Sequence, residues 1–517
     1  MDEKLILAID FGTQSVRALV FDRYGKIVAK GQRPVSAYTE PKLGWSEHDV
    51  EGLWTLVGDA CQLLWRTSSV TPQMIKAVVV TTQRATVINL DSAGKPLRPA
   101  IIWTDQRRAE ARAKLPWYWL ALFKLLGIHD TIKNIEMEAE ASWLAQNQPD
   151  VLAKTAHYLL LSGYLNYRFT GNYVDSVGSQ VGYIPFDFKR HDWCSPRDWK
   201  WAAMPVKRYM LPELKPVGAL LGHVTEAAAG ATGLLVGVPV YAGAADKACE
   251  VLGSGASKLG VASVSCGTTA TINTTQSSYV EVVPFMPAYP AAMADHYNTE
   301  IQVFRGFWLV TWFKEQFGHI EQLRAAQGGP SAEQLLDDLL YRTSPGADGL
   351  FLQPFWNPVV GETGPEGRGS IIGFNESHTR AHMYRALLEG LAYALRSGKE
   401  KIEKRTKRPI DYVRVAGGGA QSDAVMQVLA DVLNIPTERL SHHEASGLGA
   451  AIIGATALGY YRSTSEAAAA MTHVSERFRP HADAAALYDE LYKTVYKKQY
   501  GRLKPLYTAL SHFKFRS

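Results

Sequence analysis

The chain has 517 residues, 46% apolar and 20% charged, with a formal net charge of +5. That length is too great for one core and fits two large domains with additions, in a composition ordinary for a soluble globular protein. The small charge argues against a nucleic-acid binder: its basic cluster, Lys493, Lys497, Lys498, Arg502 and Lys504, has no interleaved aromatics and is expected to be a solvated helix face.

Residues 5–22, LILAIDFGTQSVRALVFD, are predicted to form a strand, a tight turn and a strand. The bend Asp10-Phe11-Gly12-Thr13-Gln14 puts backbone N–H groups, a hydroxyl and a carboxylate on one lip. Turn N–H groups can cradle phosphate, and a carboxylate can hold Mg²⁺ through water. Residues 26–32 are predicted to add a third strand. After a loop at 41–45, residues 46–49 read as the start of a helix running through Trp54, Val57 and Cys61. The β-branched run 76–81 reads as a buried parallel strand, with Thr82-Gln83-Arg84-Ala85-Thr86 at its ligand-gathering carboxyl end. Further strands are expected at 87–90 and 101–103.

Residues 109–232 read as helices and loops elaborating the first domain. Their most apolar part, 115–128 (LPWYWLALFKLLGI), falls short of the ~20 residues a membrane span needs and is expected to pack in a core or line a substrate wall. Residues 238–243 form the next predicted strand, and Asp246 stands where it gives way to a helix. A carboxylate so aimed suits a general base that accepts a hydroxyl proton.

Residues 260–275, GVASVSCGTTATINTT, repeat the strand–turn–strand pattern around Gly267, Thr268 and Thr269, which suggests two similar domains. Beyond residues 253–260, the bridge, the second domain carries a Gly- and Pro-rich loop through Gly369, a strand at 371–374, a long helix at 379–402, a strand at 413–416 and a helix at 423–433. The Gly-rich turn 417–422 between the last two would let a base or ribose approach the backbone at a helix amino end. Residues 444–459, rich in small side chains, read as a helix that must pack tightly, and Gly447-x-Gly449 lacks dinucleotide-fold spacing. The tail from 463 is expected to be helical and superficial. No G-x-x-x-x-G-K-[ST] occurs, so a P-loop is excluded. His378 and His382 have no third zinc ligand. Cys61, Cys194, Cys249 and Cys266 show no CxxC or metal spacing and are expected to be free thiols in a reducing cytoplasm. Five apolar residues between Lys4 and Asp10 are too few for a signal peptide.

In collinear order, DFGTQSVRALVFD, GWSEHDVEGLW, TTQRAT, PAIIWTDQRR, VYAGAADK, SCGTTATI, GRGSIIGF through RALLEG, and VAGGGAQSDAVMQVLAD resemble the FGGY carbohydrate kinases of the actin/hexokinase superfamily. The resemblance covers most of the chain. It implies two actin-like, ribonuclease H-like α/β domains flanking a nucleotide- and sugar-binding cleft, residues 1–252 for the sugar and 253–517 for the nucleotide. It implies ATP and Mg²⁺ as cofactors, Asp10 near the metal, and Thr13, Gln14 and Arg17 near the phosphates. Gly267 and Thr268 match the second phosphate motif, Gly418, Gly419 and Ser422 the adenosine motif, and Asp246 the catalytic base. Arg84 and Trp103 match substrate-touching positions of glycerol kinase, as does Asp246 through its base role.

The departures bear on substrate. Glycerol kinase has a hydroxyl-binding Glu where this chain has Ala85, and its aromatic contact aligns with Ile135. The family's Lys-x-x-Trp reads Glu140-Ala141-Ser142-Trp143, and Gln83-Arg84 stands where xylulokinases tend to carry Met-His. A ketopentose or a four- to six-carbon polyol is therefore expected over glycerol. Glycerol kinase, or a non-catalytic actin-like protein switched by nucleotide, are the alternatives. A small sugar or polyol is the expected partner, with no nucleic acid and no membrane; a homodimer is left open.

Overall fold

The structure, a computed structural model, describes residues 4–35, 38–112, 115–284, 286–358 and 362–513. Residues 1–3, part of the segment judged too short for a leader, and 359–361, in the expected Gly- and Pro-rich loop, lie outside the described residues. The chain forms two compact units: Met1–Gly253 with Tyr289–Tyr297 and Glu444–Thr472, and Ser254–Ala288 with Asn298–His443 and His473–Ser517. It thus returns twice to the first unit after leaving it.

The first unit is built on β1 (Leu5–Phe11), β2 (Ser15–Phe21), β3 (Ile27–Pro34), β4 (Ile75–Thr82), β5 (Leu220–His223) and β6 (Pro239–Tyr241), in the sheet order β5-β6-β4-β1-β2-β3. β1 is antiparallel to β2 and parallel to β4, which is parallel to β6. Successive side chains alternate between faces. Leu5, Leu7, Ile9, Val16 and Val20 pack with Leu53, Val57 and Cys61 of the helix Val50–Thr67. Ile6, Ala8, Leu19, Phe21 and Val79 pack with the helix Ala445–Ala457. Both faces are covered, which is why β1 reads as an unbroken apolar run.

The small-residue helix finds its close partner here. A Cβ at Gly449 would stand 2.0 Å from the carbonyl oxygen of Cys249, and one at Gly253 would stand 1.9 Å from that of Ala445. The helix Asp246–Gly253 therefore crosses Ala445–Ala457 backbone to backbone.

Several expectations are corrected. Glu47–His48 form a short strand paired with Ala100–Ile101 and do not begin the helix, whose cap is Asp49, accepting from Gly52 N at 2.7 Å. The region 109–232 also holds strands of two to four residues, such as His157–Leu160 and Val174–Ser176, too short for periodicity to show. Of the helix Trp117–Leu125 only Phe123 is buried; Trp117 is 79% and Leu125 84% exposed, because apolar residues run all round a helix that one neighbour covers on one side.

The second unit repeats the plan with β7 (Val261–Cys266), β8 (Ala270–Gln276), β9 (Tyr297–Val303), β10 (Tyr412–Ala416), β11 (Thr437–Leu440) and β12 (Val474–Phe478). Their order, β9-β8-β7-β10-β11-β12, matches β3-β2-β1-β4-β6-β5. The hairpin is again antiparallel, the next two pairings parallel and the edge strand antiparallel. The tail is less superficial than expected: β12 closes the sheet, and Tyr488, Tyr492 and Tyr496 are buried around Tyr393. Lys493, Lys497 and Lys504 do lie in solvent, pairing with Asp489, Glu400 and Glu366.

Within this second core Glu389 Oε1 accepts from Tyr488 Oη at 2.7 Å and from Gly346 N at 3.0 Å, with Arg385 beside it. Burial, which these donors oppose, pushes its carboxyl from 4.5 up to about 7. The folded state then binds the extra proton, so stability contributed by this group is full below about pH 4.5 and is lost as pH rises through about 7. The loss is on the order of 3 kcal/mol. Gln at this position keeps an acceptor for all three donors, so Glu389→Gln should flatten that decline. Unfolding temperatures measured from pH 5 to 8 check this; an unchanged slope refutes it.

All four cysteines are buried and free. Among the described residues no helix is long and apolar enough to cross a membrane.

Candidate functional site

In the first unit the parallel register of β1, β4 and β6 brings three strand ends to one edge. Asp10 lies opposite Thr81, a bridge joins Thr82 to Ala245, and Asp246 follows as the first residue of its helix. Gln83 and Arg84 leave β4 at the same edge, the Gln83 amide donating to Phe11 O at 2.8 Å. Ligands of open α/β sheets gather at such carboxyl ends.

Asp10 and Arg17 are direct cross-strand partners, Nη1 to Oδ2 3.0 Å apart. The same Nη1 is 3.4 Å from Glu444 Oε2, while Glu444 Oε1 takes Lys30 Nζ at 2.6 Å. Arg17 Nε is buried and makes no hydrogen bond. Burial pushes the Asp10 carboxyl up to about 7, opposed by Arg17 and reinforced by Asp246 and Glu444. Burial also raises Asp246 above the usual carboxylate range, with Arg84, Lys247 and the Lys247 N–H (2.7 Å to Oδ1) opposing it. The Arg84 guanidinium stands 5.2 Å over the Tyr289 ring.

Thr13 and Trp103, expected on phosphate and substrate respectively, touch each other: the indole N–H donates to Thr13 Oγ1 at 3.0 Å. Thr13 in turn donates to Gln83 Oε1 at 2.9 Å. Gln14 is exposed at the bend, its carbonyl taken by Val35 N. Ala85 has a φ of +53°, a left-handed conformation uncommon for a residue with a Cβ, and its amide donates to Val181 O. Ile135 packs with the apolar cluster of Phe123, Ile128 and Ile132. Glu140, at the family's Lys position, is pushed by burial up to about 8, and its Oε2 makes no hydrogen bond.

In the second unit, Ser265 of β7 lies opposite Ala416 of β10, so the hairpin bend and the Gly-rich turn meet. Gly417 has a φ of +87°, and a Cβ there would stand 2.8 Å from the Cys266 carbonyl carbon. Phe307 N donates to Gly267 O and Trp308 N to Thr268 O, tying the bend to the helix Trp308–Phe317. The two inner glycines differ. A Cβ at Gly419 would meet the Phe307 ring at 2.6 Å, whereas one at Gly418 meets nothing within 4 Å. Gly418 is thus the open cradle, and Gly419 is bare for packing. Ser422 caps the helix Asp423–Leu433, accepting from Val425 N at 3.1 Å, and also bonds Asp337, whose carboxyl burial pushes up to about 6.

Glu444, Lys30, Tyr289 and Asp337 were not legible from any motif. Glu444 and Tyr289 come from segments that rejoin the first unit from far along the chain, and only the small residues after Glu444 hinted at a close contact. Among the described residues no group of three His, Cys, Asp or Glu could hold a metal, and His382 instead faces Asp348 at 3.1 Å. Asp10, at the strand-end edge, still fits Mg²⁺, which keeps several waters and takes one or two carboxylates plus phosphate oxygens. In the second unit the open Gly418 backbone fits a phosphorylated ligand, and in the first the Arg17 guanidinium, its side chain 32% exposed, fits an anion.

Known proteins resemble the chain over nearly its whole length. The profile of the FGGY family of carbohydrate kinases matches residues 5–253 with its N-terminal domain and 262–458 with its C-terminal domain. A xylulose kinase of Lactococcus lactis is 29% identical over 510 residues, 95% of this chain and 96% of the relative. A glycerol kinase of Thermococcus gammatolerans is 29% identical over 489 residues, 93% and 94% of the two chains. The crystal structure of a ligand-bound xylulose kinase from Lactobacillus acidophilus superposes with a TM-score of 0.83 at 21% identity, covering 98% of this chain and 99% of that one. The duplicated sheet is therefore the two-domain actin-like fold of sugar kinases, and the chain belongs to the FGGY family and is a carbohydrate kinase.

Proposed function

We propose that the protein transfers the terminal phosphate of ATP, bound with Mg²⁺, to a hydroxyl of a small sugar or polyol, with Asp246 taking the hydroxyl proton. The observation that carries this is the strand-end edge of the first unit. It sets a raised carboxyl, Asp246, within electrostatic reach of Arg84 and of the Asp10–Arg17 pair. A carboxyl raised toward working pH is a better general base than an ordinary one.

Mg-ATP supplies the transferable phosphoryl group and much of the charge neutralisation. Asp10 would hold the metal side, and Thr13, Gln14 and Arg17 the phosphates. Gly267 and Thr268 would offer backbone donors to phosphate, and Gly418, Gly419 and Ser422 would support the adenosine. Arg84 and Trp103 orient the sugar, whose hydroxyl meets Asp246. Residues 1–252 serve the sugar and 253–517 the nucleotide, except that Tyr289–Tyr297 and Glu444–Thr472 are given back to the first unit. Free buried thiols suit a reducing cytoplasm.

For substrate we favour a ketopentose such as xylulose or ribulose, or a four- to six-carbon polyol, over glycerol. Ala85 offers no acceptor where glycerol kinase has a Glu, and loss of a charged hydrogen-bond partner typically costs about 1.5–3 kcal/mol. A three-carbon polyol has few hydroxyls with which to recover that. Relatives named xylulose kinase support the same direction. ADP release across polyols, ketoses and aldoses tests it: kcat/KM for a pentulose or pentitol should exceed that for glycerol about tenfold or more. Glycerol as the best substrate would overturn the substrate assignment and leave the kinase.

A further inference from the structure

Arg17, Asp10 and Lys30 lie on one face of the first sheet. Arg17 is opposite Asp10 across β1 and β2, and opposite Gln32 on β3, two residues from Lys30 on the same side of the strand. That face carries the helix Ala445–Ala457, and Glu444 stands immediately before its first turn, where the chain rejoins the first unit. Both oxygens of Glu444 are used: Oε1 takes Lys30 Nζ at 2.6 Å and Oε2 lies 3.4 Å from Arg17 Nη1. Two residues on, Ser446 Oγ donates to the backbone carbonyl of Asp246 at 3.2 Å. One turn of chain thus touches both the cation next to Asp10 and the backbone of the base.

Arg17 Nη1 is claimed by two carboxylates at once, 3.0 Å from Asp10 and 3.4 Å from Glu444. With Asp10 alone, the guanidinium would settle on the carboxylate that the proposed function gives to the metal. An arginine paired there is withdrawn from a phosphate, and its charge opposes a cation. Glu444 supplies a second anchor for the same nitrogen, and Lys30 fixes that anchor in place. The Arg17 side chain is 32% exposed, so the guanidinium keeps an open side for a phosphate oxygen, while its Nε is buried and makes no hydrogen bond.

We infer that Glu444 is a positioning residue for nucleotide binding, holding Arg17 partly off Asp10 so that the arginine serves phosphate while Asp10 serves the metal. This rests on the assignment of Arg17 to the phosphates made above. It assigns Glu444 no contact with substrate.

The test is calorimetric binding of ADP, with and without Mg²⁺, to the full chain and to Glu444→Gln, Glu444→Asp and Arg17→Gln, beside steady-state KM values for ATP and for the best sugar. Glu444→Gln should weaken ADP about tenfold in the presence of Mg²⁺ and raise the KM for ATP in parallel, leaving the KM for sugar unchanged. Glu444→Asp keeps the charge and should recover at least half of that loss on a logarithmic scale. A merely structural role would lower the unfolding temperature and raise both KM values together. If Glu444→Gln fails to fold, Lys30→Gln decides: freeing the anchor from its lysine should weaken ADP in the same direction, and ADP affinity and a KM for ATP left at wild-type values would overturn the inference. Unchanged ADP binding in Glu444→Gln beside weakened binding in Arg17→Gln overturns the inference alone. Unchanged binding in Arg17→Gln removes the phosphate assignment itself, and the inference with it.

Discussion

Asp246→Asn is expected to lower turnover by ~10²–10⁴ while leaving nucleotide affinity near normal. Asn retains the shape and an acceptor for the Lys247 N–H, which now meets Oδ1 at 2.7 Å, so the start of the helix Asp246–Gly253 should survive. What it lacks is the capacity to take a proton. The sign of the pH effect follows from the raised carboxyl: protonated Asp246 cannot act as base, so turnover should fall on the acid side at a pH above the usual carboxylate range. Arg84 and Lys247 oppose the rise, so neutralising Arg84 should move that limb further up. Turnover of the Asn variant within about threefold of wild type would remove Asp246 from the chemistry.

The second large effect belongs to packing. Gly449→Ala puts a methyl group 2.0 Å from the Cys249 carbonyl oxygen, a backbone atom that no rotamer change can move aside. The helices Ala445–Ala457 and Asp246–Gly253 must then part. Overpacking of this kind costs typically 1–3 kcal/mol, and a clash with rigid backbone belongs at or beyond the top of that range, about 3 kcal/mol. Because Asp246 opens one of these helices and Glu444 precedes the other, activity should fall with stability. Gly230→Ala is the matched control: it lies inside the helix Glu226–Thr232, meets nothing within 4 Å, and should stabilise by about 0.5–1 kcal/mol. Denaturant unfolding of both variants settles the point. A loss under about 1 kcal/mol at position 449 would mean that the helices separate freely and that the close crossing matters little.

Much of this molecule is local and could be read from the chain. The hairpin 5–22, its echo at 260–275 and the strand 76–81 were legible because a strand buried on both faces is an apolar run that a turn residue ends. Asp246, Gly417 and Ser422 were legible because strand-to-helix transitions leave a recognisable change of pattern, and the collinear motifs fixed the family. The helix 444–459 announced a tight contact through its glycines.

What only the tertiary structure decided is what lies between distant segments. The partner of that helix is the helix Asp246–Gly253, and the anchor for Arg17 is Glu444; both pairs are brought together by a chain that leaves the first unit and returns. Burial of Tyr488 and Tyr492 in a tail that looked superficial, and exposure of Trp117 and Leu125 in a segment that looked internal, depend on which faces find neighbours. Composition records that a side chain is apolar; the register of strands far apart in sequence settles whether anything stands opposite it. Proximity raises the carboxyls of Asp10 and Asp246 in the same way, since desolvation is a property of the surrounding atoms and leaves no mark on the residue itself.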